Sequence, residues 1–409
     1  MDLTTDRQPG TGVGEGASGR LIRAAVIGTG FVGPFHVDAI RRGGYAEVVA
    51  LAGSDPARTR ARAAELGVGR ATADLRELVD DPSIDVVHVC TPNRTHVEIA
   101  TAVLEAGKHL VLEKPVALDS DSARGLADLA RRQARHAAVA LTYRGYPMVR
   151  RARALVQDGE VGQIRLVHGG YIQDWLADPS DYNWRLEPDL GGASRAVADI
   201  GSHWFDAAEF IAGLRVEEVF ADLATFLPRR SRPLAGAVAF GTSHGPAEQV
   251  VVRSEDAATI LLRFAGGARG SAVISQVSPG RKNSFNLEIA GSQATLDWDQ
   301  EDAERLWVRT RDEARQLSRR PEDGPGLGPG IPSLPAGHPE GWAEALRDLL
   351  RPFYAAVASG EPWVEGLDYP TLDDGTRGVV FVEAVLSSAR AGRWVSLADP
   401  PSKMSEGTP

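Results

Sequence analysis

Two segments of the sequence carry residue types that can move a proton and stabilise a negatively charged oxygen. The first is Glu113-Lys114-Pro115, which directly follows the apolar run His109–Leu112. The second is Asp199-Ile200-Gly201-Ser202-His203, in which a carboxylate precedes an imidazole by four residues. A lysine ammonium donates hydrogen bonds to a developing oxyanion, and an imidazole exchanges protons near neutral pH. The two segments therefore hold the groups for acid–base chemistry at an oxygen atom.

A glycine-rich turn near the beginning of the chain predicts a dinucleotide site. The sequence Gly28-Thr29-Gly30-Phe31-Val32-Gly33 fits the pattern G-x-G-x-x-G, and it lies between a predicted strand, Arg23–Ile27, and a predicted helix, Phe31–Arg42. The first glycine permits the tight turn, the second lets the backbone approach a pyrophosphate, and the third lets helix and strand pack closely. In this context the motif favours nucleotide binding over a plain strand–turn–helix.

The residues expected near the adenosine ribose do not decide between NAD and NADP. The usual carboxylate position, after the predicted strand Glu47–Ala52, is Gly53, so nothing there repels a 2′-phosphate. Ser54 follows, and then come Asp55, which can hold a 2′-hydroxyl, and Arg58, which can pair with a 2′-phosphate. The cofactor is predicted to be NAD or NADP, with the preference undecided.

The elements that must position these groups fall into two domains. Between residues 21 and 143 short apolar runs alternate with amphipathic stretches, which is typical of βαβ units and a doubly wound parallel sheet of the Rossmann type. Later strand-like runs follow one another with short turns, which predicts an α+β domain with a large, mostly antiparallel open sheet. We predict a disordered leader at 1–20, an NAD(P)-binding domain at 21–143, a substrate-binding and oligomerisation domain at 144–399 and a flexible tail at 400–409.

Four motifs taken in order resemble one known family. They are the glycine turn, Thr91-Pro92-Asn93-Arg94-Thr95-His96, Glu113-Lys114-Pro115, and Gly191-Gly192-Ala193 followed by the Asp199–His203 segment. Their order, spacing and context are similar to those of the Gfo/Idh/MocA family (glucose–fructose oxidoreductase, inositol dehydrogenase, rhizopine catabolism) over about residues 22–397. Tyr143-Arg144 and Tyr171-Ile172-Gln173-Asp174-Trp175 look like sugar dehydrogenases of the levoglucosan-dehydrogenase kind. The acidic residue that those relatives tend to show near Gly53 is missing, so their cofactor preference is not carried over.

The resemblance implies a dehydrogenase that acts on a ring secondary hydroxyl of a neutral sugar, glycoside or inositol-like polyol, or that reduces the keto form. In that reaction His203 suits the general base and Lys114 suits the donor to the alkoxide, while Asp199 holds a neighbouring hydroxyl or orients the base. Cofactor contacts are implied at the glycine turn, Ser54, Asp55, Arg58, Thr91, Pro92, Asn93, His96, Glu113, Lys114 and Arg185. Substrate contacts are implied at Lys114, Tyr143, Arg144, Gln173, Asp174, Trp175, Trp184, Asp199 and His203.

Each assignment has a plainer alternative that the sequence leaves open. Lys114 is also consistent with a solvated lysine at the end of a strand. His203 is also consistent with a buried helix histidine, and Asp199 with a helix cap. His96 suits a helix-start or cofactor-edge residue better than a base. Two other functions fit the same resemblance: an NAD-dependent glycosidase that oxidises its sugar transiently, and a catalytically silent sensor of sugar and dinucleotide. A sensor is expected to have lost the lysine or the histidine, and both are present.

Composition argues against several partners. With 45 Lys+Arg against 55 Asp+Glu the formal net charge is −10, and no basic patch stands out, so nucleic acid is not expected. No apolar stretch approaches the roughly 20 residues of a membrane span. The first twenty residues are Gly-rich and polar and do not resemble a signal peptide. We expect a cytoplasmic homodimer or homotetramer, associated through the second-domain sheet, without a metal site or an intramolecular disulfide, since Cys90 is the single cysteine and fits an inert buried thiol.

Overall fold

Six parallel strands form the first sheet. The computed structural model describes residues 21–234, 245–320, 334–335, 337–364, 366 and 368–397. The strands lie in the order β3-β2-β1-β4-β5-β6. The first three strands extend the sheet to one side and the last three extend it to the other, so the switch point lies between β1 and β4. Its strands are β1 (Arg23–Ile27), β2 (Glu47–Ala52), β3 (Arg70–Thr72), β4 (Val86–Val89), β5 (His109–Leu112) and β6 (Ala137–Val139). Its helices are α1 (Val32–Gly43), α2 (Pro56–Glu65), α3 (Arg76–Val79), α4 (His96–Glu105) and α5 (Ser120–Arg132).

A nine-stranded, mostly antiparallel sheet dominates the second half of the chain, in the order β16-β15-β14-β13-β7-β12-β11-β8-β17. These strands are β7 (Ile164–Ile172), β8 (Val216–Ala224), β11 (Ala257–Phe264), β12 (Arg269–Ser275), β13 (Ser284–Gly291), β14 (Thr295–Asp299), β15 (Arg305–Arg309), β16 (Ala314–Ser318) and β17 (Val395–Ser396). A separate hairpin pairs β9 (Arg229–Pro233) with β10 (Ala247–Val251). The helices are α6 (Pro147–Gln157), α7 (Pro188–Gly191), α8 (Ser202–Ala212), α9 (Trp342–Ser359) and α10 (Leu372–Ala391).

Apolar side chains divide into cores on the two faces of the first sheet and on the inner face of the second. Helices α6, α8 and α10 cover the inner face of the large sheet. Helix α9 instead returns to the first sheet, where Leu350 and Phe353 pack against α1. Helix α10 joins the two units, because Val379 enters the core of the first sheet while Phe381 enters that of the second. The switch point between β1 and β4 is where open α/β sheets bind their ligands.

The structure confirms the predicted fold class and corrects several element boundaries. The apolar run Ala138–Thr142 favours a strand over its whole length, but β6 ends at Val139 and a 3₁₀ turn over Thr142–Gly145 follows. Sequence analysis missed β3, β9, β16, β17, α3 and α7, which are short or polar. Cys90 is buried, as predicted. The leader and tail predictions concern residues outside those that the structure describes. No helix among the described residues has the length and apolar character needed to cross a membrane.

Candidate active site

The glycine turn links β1 to α1, and two of its glycines are required by close packing. Gly28 has a φ of +124°, and a Cβ there would lie 2.3 Å from the carbonyl oxygen of Cys90. A Cβ on Gly33 would lie 1.9 Å from the oxygen of Gly28. At Gly30 a Cβ would meet no protein atom within 4 Å. The space above Gly30 is therefore open for a ligand that approaches the backbone, with Phe31 and Val32 opening α1 beside it.

The end of β2 presents the predicted ribose-discriminating residues. Ser54, Asp55 and Arg58 are exposed. The Asp55 carboxylate caps α2 by accepting a hydrogen bond from the backbone N–H of Arg58 at 2.9 Å, and this bond lowers the pKa of Asp55. One carboxylate oxygen of Asp55 is thus committed to the helix. The arrangement still leaves both Asp55 and Arg58 at the surface next to the glycine turn.

The turn after β4 is hydrogen-bonded to the segments around Pro115 and Gly191. His96 is fully buried, with Nδ1 2.7 Å from the carbonyl of Pro115 and Nε2 2.8 Å from the carbonyl of Thr91. Pro92 precedes Asn93, whose amide nitrogen donates to the carbonyl of Gly191 at 3.2 Å. Both ring nitrogens of His96 are therefore occupied by backbone, as suits a helix-start residue and not a base.

Lys114 and Asp199 meet at the carboxyl end of β5. The Lys114 ammonium donates to the carboxylate Oδ1 of Asp199 at 2.9 Å and to its backbone carbonyl at 2.6 Å. Arg185 Nε donates to the same Oδ1 at 3.1 Å, and Gln276 Nε2 donates to Oδ2 at 2.8 Å. Burial opposes ionisation, but the charges of Arg185 and Lys114 hold the pKa of Asp199 well below its usual range. Asp199 is consequently an ionised carboxylate with donors on both oxygens.

His203 lies close to this group but is not hydrogen-bonded to Asp199. The chain forms a π-helical turn over Val197–Gly201 before α8 begins, and Asp199 turns to its cationic neighbours. Nδ1 of His203 is enclosed and has no hydrogen-bond partner among the described residues. Burial, and then the charge of Lys114, lower the pKa of His203 to about 3. The expectation that this imidazole titrates near working pH is therefore wrong for this structure, and His203 is neutral at ordinary pH.

Glu113 ends a buried chain of hydrogen bonds that sequence analysis did not find. Its Oε1 lies 3.1 Å from Nε2 of His36, whose Nδ1 lies 2.8 Å from Nδ1 of His88. Nε2 of His88 lies 2.8 Å from the hydroxyl of Tyr354 on α9. With both imidazoles neutral and Glu113 ionised, every donor in this chain meets an acceptor. This series of hydrogen bonds connects the end of β5 to α1 and α9.

A polar network connects His203 to the loops of the second domain. The ring of Tyr143 packs edge-on against His203, with 5.1 Å between centroids, and its hydroxyl donates to that of Tyr171 at 2.6 Å. Asn283, which sequence analysis did not single out, accepts from Tyr171 at 2.6 Å and from Gln173 Nε2 at 2.8 Å. Trp175 Nε1 donates to Gln173 Oε1 at 3.0 Å. The predicted Tyr143, Gln173 and Trp175 are thus joined beside His203.

Two of the residues predicted to contact the substrate, Arg144 and Asp174, have bonding partners within the protein. The Arg144 guanidinium forms a buried ion pair with Asp206 at 2.5 Å and with Asp374 at 2.9 Å. The Asp174 carboxylate accepts from Lys282 at 2.7 Å and from the backbone N–H of Gly280 at 3.0 Å. Arg144 is therefore a structural ion-pair residue, and Asp174 ties the β12–β13 connection to the end of β7.

Trp184 and Arg185 form a stacked pair next to Asp199. The Arg185 guanidinium lies over the Trp184 ring, 4.6 Å from its centroid, and also contacts the side-chain oxygen of Asn183 at 3.3 Å. No group of three or more His, Cys, Asp or Glu side chains in the described part of the chain could hold a metal ion. Arg185 thus packs on Trp184 while its Nε stays bonded to Asp199.

Comparisons with known proteins agree with this geometry. Residues 22–141 match an oxidoreductase family with an NAD-binding Rossmann fold, and residues 149–297 match the GFO/IDH/MocA C-terminal domain. The levoglucosan dehydrogenase of Pseudarthrobacter phenanthrenivorans is 34% identical over 359 residues, which cover 85% of this chain and 88% of that protein. The chain belongs to the Gfo/Idh/MocA oxidoreductase family. This confirms the resemblance on which the site prediction rests.

Other members of the Gfo/Idh/MocA family are similar over much of their length. The myo-inositol 2-dehydrogenase of Thermotoga maritima is 30% identical over 256 residues, or 61% of this chain and 67% of that protein. A solved levoglucosan dehydrogenase in complex with NADH and L-sorbose has a TM-score of 0.82 at 30% identity and covers 92% of this chain and 99% of that one. An oxidoreductase domain protein from Kribbella flavida has a TM-score of 0.83 at 33% identity, with coverages of 92% and 99%.

The first domain of this family member is an NAD-binding domain, and its residues fit that cofactor. Gly28 and Gly33 allow the turn and the helix to approach closely, and the open space above Gly30 suits a pyrophosphate at the beginning of α1. Lys114 lies at the end of β5, next but one to β1 in the sheet. The cofactor turn and the acid–base groups therefore share one edge of the first sheet.

Cofactor preference can be tested at Gly53. We expect Gly53→Asp to lower kcat/KM with NADP about tenfold or more relative to NAD, because a carboxylate that faces a 2′-phosphate is a like-charge contact. A Cβ at Gly53 would lie 2.7 Å from Oγ1 of Thr59 and 2.8 Å from Cγ2 of Thr29, so any side chain displaces both. Gly53→Asn carries nearly the same steric cost without the charge and is the matched control. An equal NAD/NADP ratio in the two variants would show that this loop does not face the ribose.

Proposed function

We propose that this oxidoreductase oxidises a ring secondary hydroxyl of a neutral sugar, glycoside or inositol-like polyol with NAD or NADP, or reduces the corresponding ketone. The observation that carries the proposal is the meeting of Lys114, Asp199 and the neutral His203 beside the dinucleotide turn. Relatives named for levoglucosan and myo-inositol support the substrate class. Lys114, Asp199 and His203 are the proposed catalytic residues.

Lys114 is proposed to stabilise the negative charge that develops on the substrate oxygen. An ammonium has three N–H groups, and Asp199 accepts from it through one carboxylate oxygen and one carbonyl. The remaining N–H is then available to the hydroxyl of a bound substrate. Because the site is buried, a donor fixed in this way acts more strongly than the same donor in water. Asp199 holds the ammonium in place.

His203 is proposed to receive the hydroxyl proton. The dinucleotide, when bound, supplies the hydride acceptor. An imidazole that is neutral at working pH has an unprotonated ring nitrogen that can take the O–H proton as the C–H bond breaks. Tyr143 packs against the ring and fixes its plane. In the reverse direction the same imidazole returns the proton to the alkoxide oxygen.

The groups around this centre suit a neutral ligand. The two cations nearest the proposed reacting oxygen, Lys114 and Arg185, are both bonded to Asp199. Arg185 is therefore not free to clamp a phosphate with two parallel bonds. Trp175 and Trp184 contribute partly exposed aromatic faces that suit sugar C–H groups, whereas the buried amide of Gln173 is bonded to Asn283 and Trp175 and positions the latter. These features support a pyranose, an anhydro-sugar, a glycoside or an inositol.

A substrate panel tests this proposal. Cyclic polyols, their phosphorylated counterparts and open-chain polyols are compared at equal NAD and at equal NADP, with reduced cofactor measured by absorbance. We expect kcat/KM to be at least about tenfold higher for neutral cyclic compounds, the size expected when a site's polar groups are left unpaired by the wrong ligand. A preference for a sugar phosphate or an open-chain polyol contradicts the substrate class. Glycoside cleavage without net cofactor reduction would indicate a glycosidase instead.

We also propose that the chain assembles as a homodimer or homotetramer through the large sheet and works in the cytoplasm. The face of that sheet away from α6 and α8 carries exposed apolar side chains, among them Leu166, Leu261 and Val273. Contiguous exposed apolar surface is typical of a protein interface. The sedimentation coefficient of the purified chain distinguishes a monomer from either assembly.

A further inference from the structure

Gln276 lies directly after β12 and is completely buried next to Asp199. Its Nε2 donates to Oδ2 of Asp199 at 2.8 Å, and its Oε1 accepts from Nη1 of Arg195 at 3.3 Å. A carboxylate only accepts hydrogen bonds and a guanidinium only donates them. The amide of Gln276 therefore satisfies both neighbours in a single orientation.

Arg195 is itself held in a rigid, fully buried frame. Its guanidinium is paired with Asp256, and neither side chain is exposed to solvent. Asp256 also accepts from Arg230 Nη2 at 3.0 Å and from the backbone N–H of Leu227 at 2.7 Å. The partner of Gln276 is thus fixed by contacts that do not involve the candidate active site.

The Asp199 carboxylate has an unequal set of donors. Lys114 and Arg185 both bond Oδ1, while Gln276 is the bonding partner of Oδ2. Without the amide, Oδ2 would be buried without a donor, and a buried unpaired acceptor is costly. The carboxylate would then rotate to share both oxygens between its two cations, and the ammonium of Lys114 would move with it.

We propose that Gln276 is a positioning residue of the reaction: anchored by Arg195, it holds the Asp199 carboxylate in the rotation that places the Lys114 ammonium for the substrate oxygen. This inference rests on the proposed function for its effect on turnover. It concerns a residue from the second domain that contacts neither the cofactor turn nor His203 in the described structure. The geometry of Asp199 and Lys114 can be measured without any substrate, which separates the two proposals.

Two substitutions at Gln276 test the proposal by kinetics. Gln276→Leu removes the donor and should lower kcat by about 10–100-fold at every pH, since misplacing a catalytic group by about 1 Å costs up to that much. The pH profile of kcat for Gln276→Glu should show a decrease at high pH that the wild-type profile lacks. At low pH the introduced carboxyl keeps its proton and donates it to Asp199, and kcat approaches that of wild type. As the pH rises, the carboxyl ionises beside Asp199, and kcat falls.

The charged groups facing position 276 are Asp199 and Arg195, with Lys114, Arg185 and Asp256 behind them. Arg195 favours the ionised form of the introduced carboxyl and Asp199 opposes it. Gln249→Glu on β10 makes the same chemical change at an exposed position, where Gln249 bonds Ser231 and none of these groups, and serves as the control. Its kcat and pH profile should match those of wild type.

Competitive acylation of the cofactor-free protein gives a readout without substrate. The lysines of the chain are Lys108, Lys114, Lys282 and Lys403, so each is resolved by peptide mass spectrometry. The acylation rate of Lys114, measured relative to that of the exposed Lys282, should be several-fold higher in Gln276→Leu than in wild type. The reason is that the hydrogen bond between Lys114 and Asp199 is weakened in the variant. Unchanged Lys114 reactivity with wild-type kcat in Gln276→Leu would overturn the proposal. If that variant does not fold, a pH profile of Gln276→Glu identical to wild type has the same consequence.

Discussion

Lys114→Met is expected to lower turnover by about 10²–10³-fold, the usual cost of losing one preorganised donor to a developing oxyanion. Dinucleotide affinity should change much less, because the pyrophosphate cradle is built by the backbone around Gly30. Single-turnover rates and equilibrium binding of NAD, measured on the same preparation, separate the two effects. Near-normal turnover in this variant would remove Lys114 from the proposed mechanism.

The pH dependence of the residual activity sharpens this test. In the proposed mechanism activity requires unprotonated His203, so it should be lost as the pH falls through the pKa of that group, which lies at about 3 in the intact site. The charge of Lys114 is one cause of that low pKa, after burial. Lys114→Met should therefore move the acidic limb to higher pH. Lys114→Arg keeps the charge but not the donor geometry. Its turnover should therefore fall, while the acidic limb of its pH profile should stay at the low pH of wild type.

The dinucleotide half of the site could be predicted from the sequence because its chemistry is local. Three glycines at fixed spacing, between an apolar run and a helix, determine a turn whose packing demands are met within neighbouring strands. The structure gives the reason for each of them: Gly28 and Gly33 have no room for a Cβ, and Gly30 leaves open space. Asp55 and Pro56 likewise determine the start of α2 through local hydrogen bonding and a fixed φ.

The contacts around Asp199 could not be derived from spacing, because they join distant parts of the chain. Lys114 and Asp199 are 85 residues apart, and only a resemblance to known proteins placed them together. Gln276 is a glutamine at the end of a β-strand, and nothing in its sequence neighbourhood distinguishes it from other strand-end glutamines. Its role depends on Arg195 and Asp256, which are brought beside it by tertiary packing.

Neighbouring residues in the sequence proved to face different environments. The resemblance implies substrate contacts at both Tyr143 and Arg144. The 3₁₀ turn that contains both rotates successive side chains by about 120°. Tyr143 consequently faces His203, whereas Arg144 faces Asp206 and Asp374. A sequence motif located the turn but could not predict which of its side chains points to the site.

The protonation states and hydrogen bonds of the groups around Lys114 favour His203 as the proposed base. Burial raises the pKa of Tyr143 well above its ordinary value, so its hydroxyl keeps its proton at working pH. Asp199 is ionised, but both of its oxygens accept from fixed donors and its pKa is held far below its usual range. His203 differs from both, because burial and the charge of Lys114 keep its imidazole neutral, so the ring can still take up a proton.

His203→Ala should accordingly reduce turnover by about 10²–10⁴-fold, the range for a lost general base, and should abolish the acidic limb. External imidazole, which fits the space left by the removed ring, should restore part of the activity in proportion to its unprotonated fraction. A histidine that only packs against Tyr143 would give no such rescue. His168→Ala is the matched control, since His168 is a partly exposed histidine on β7 bonded to Glu288 at 3.1 Å, and its turnover and pH profile should equal those of wild type. Survival of the acidic limb in His203→Ala would transfer the role of base to another group.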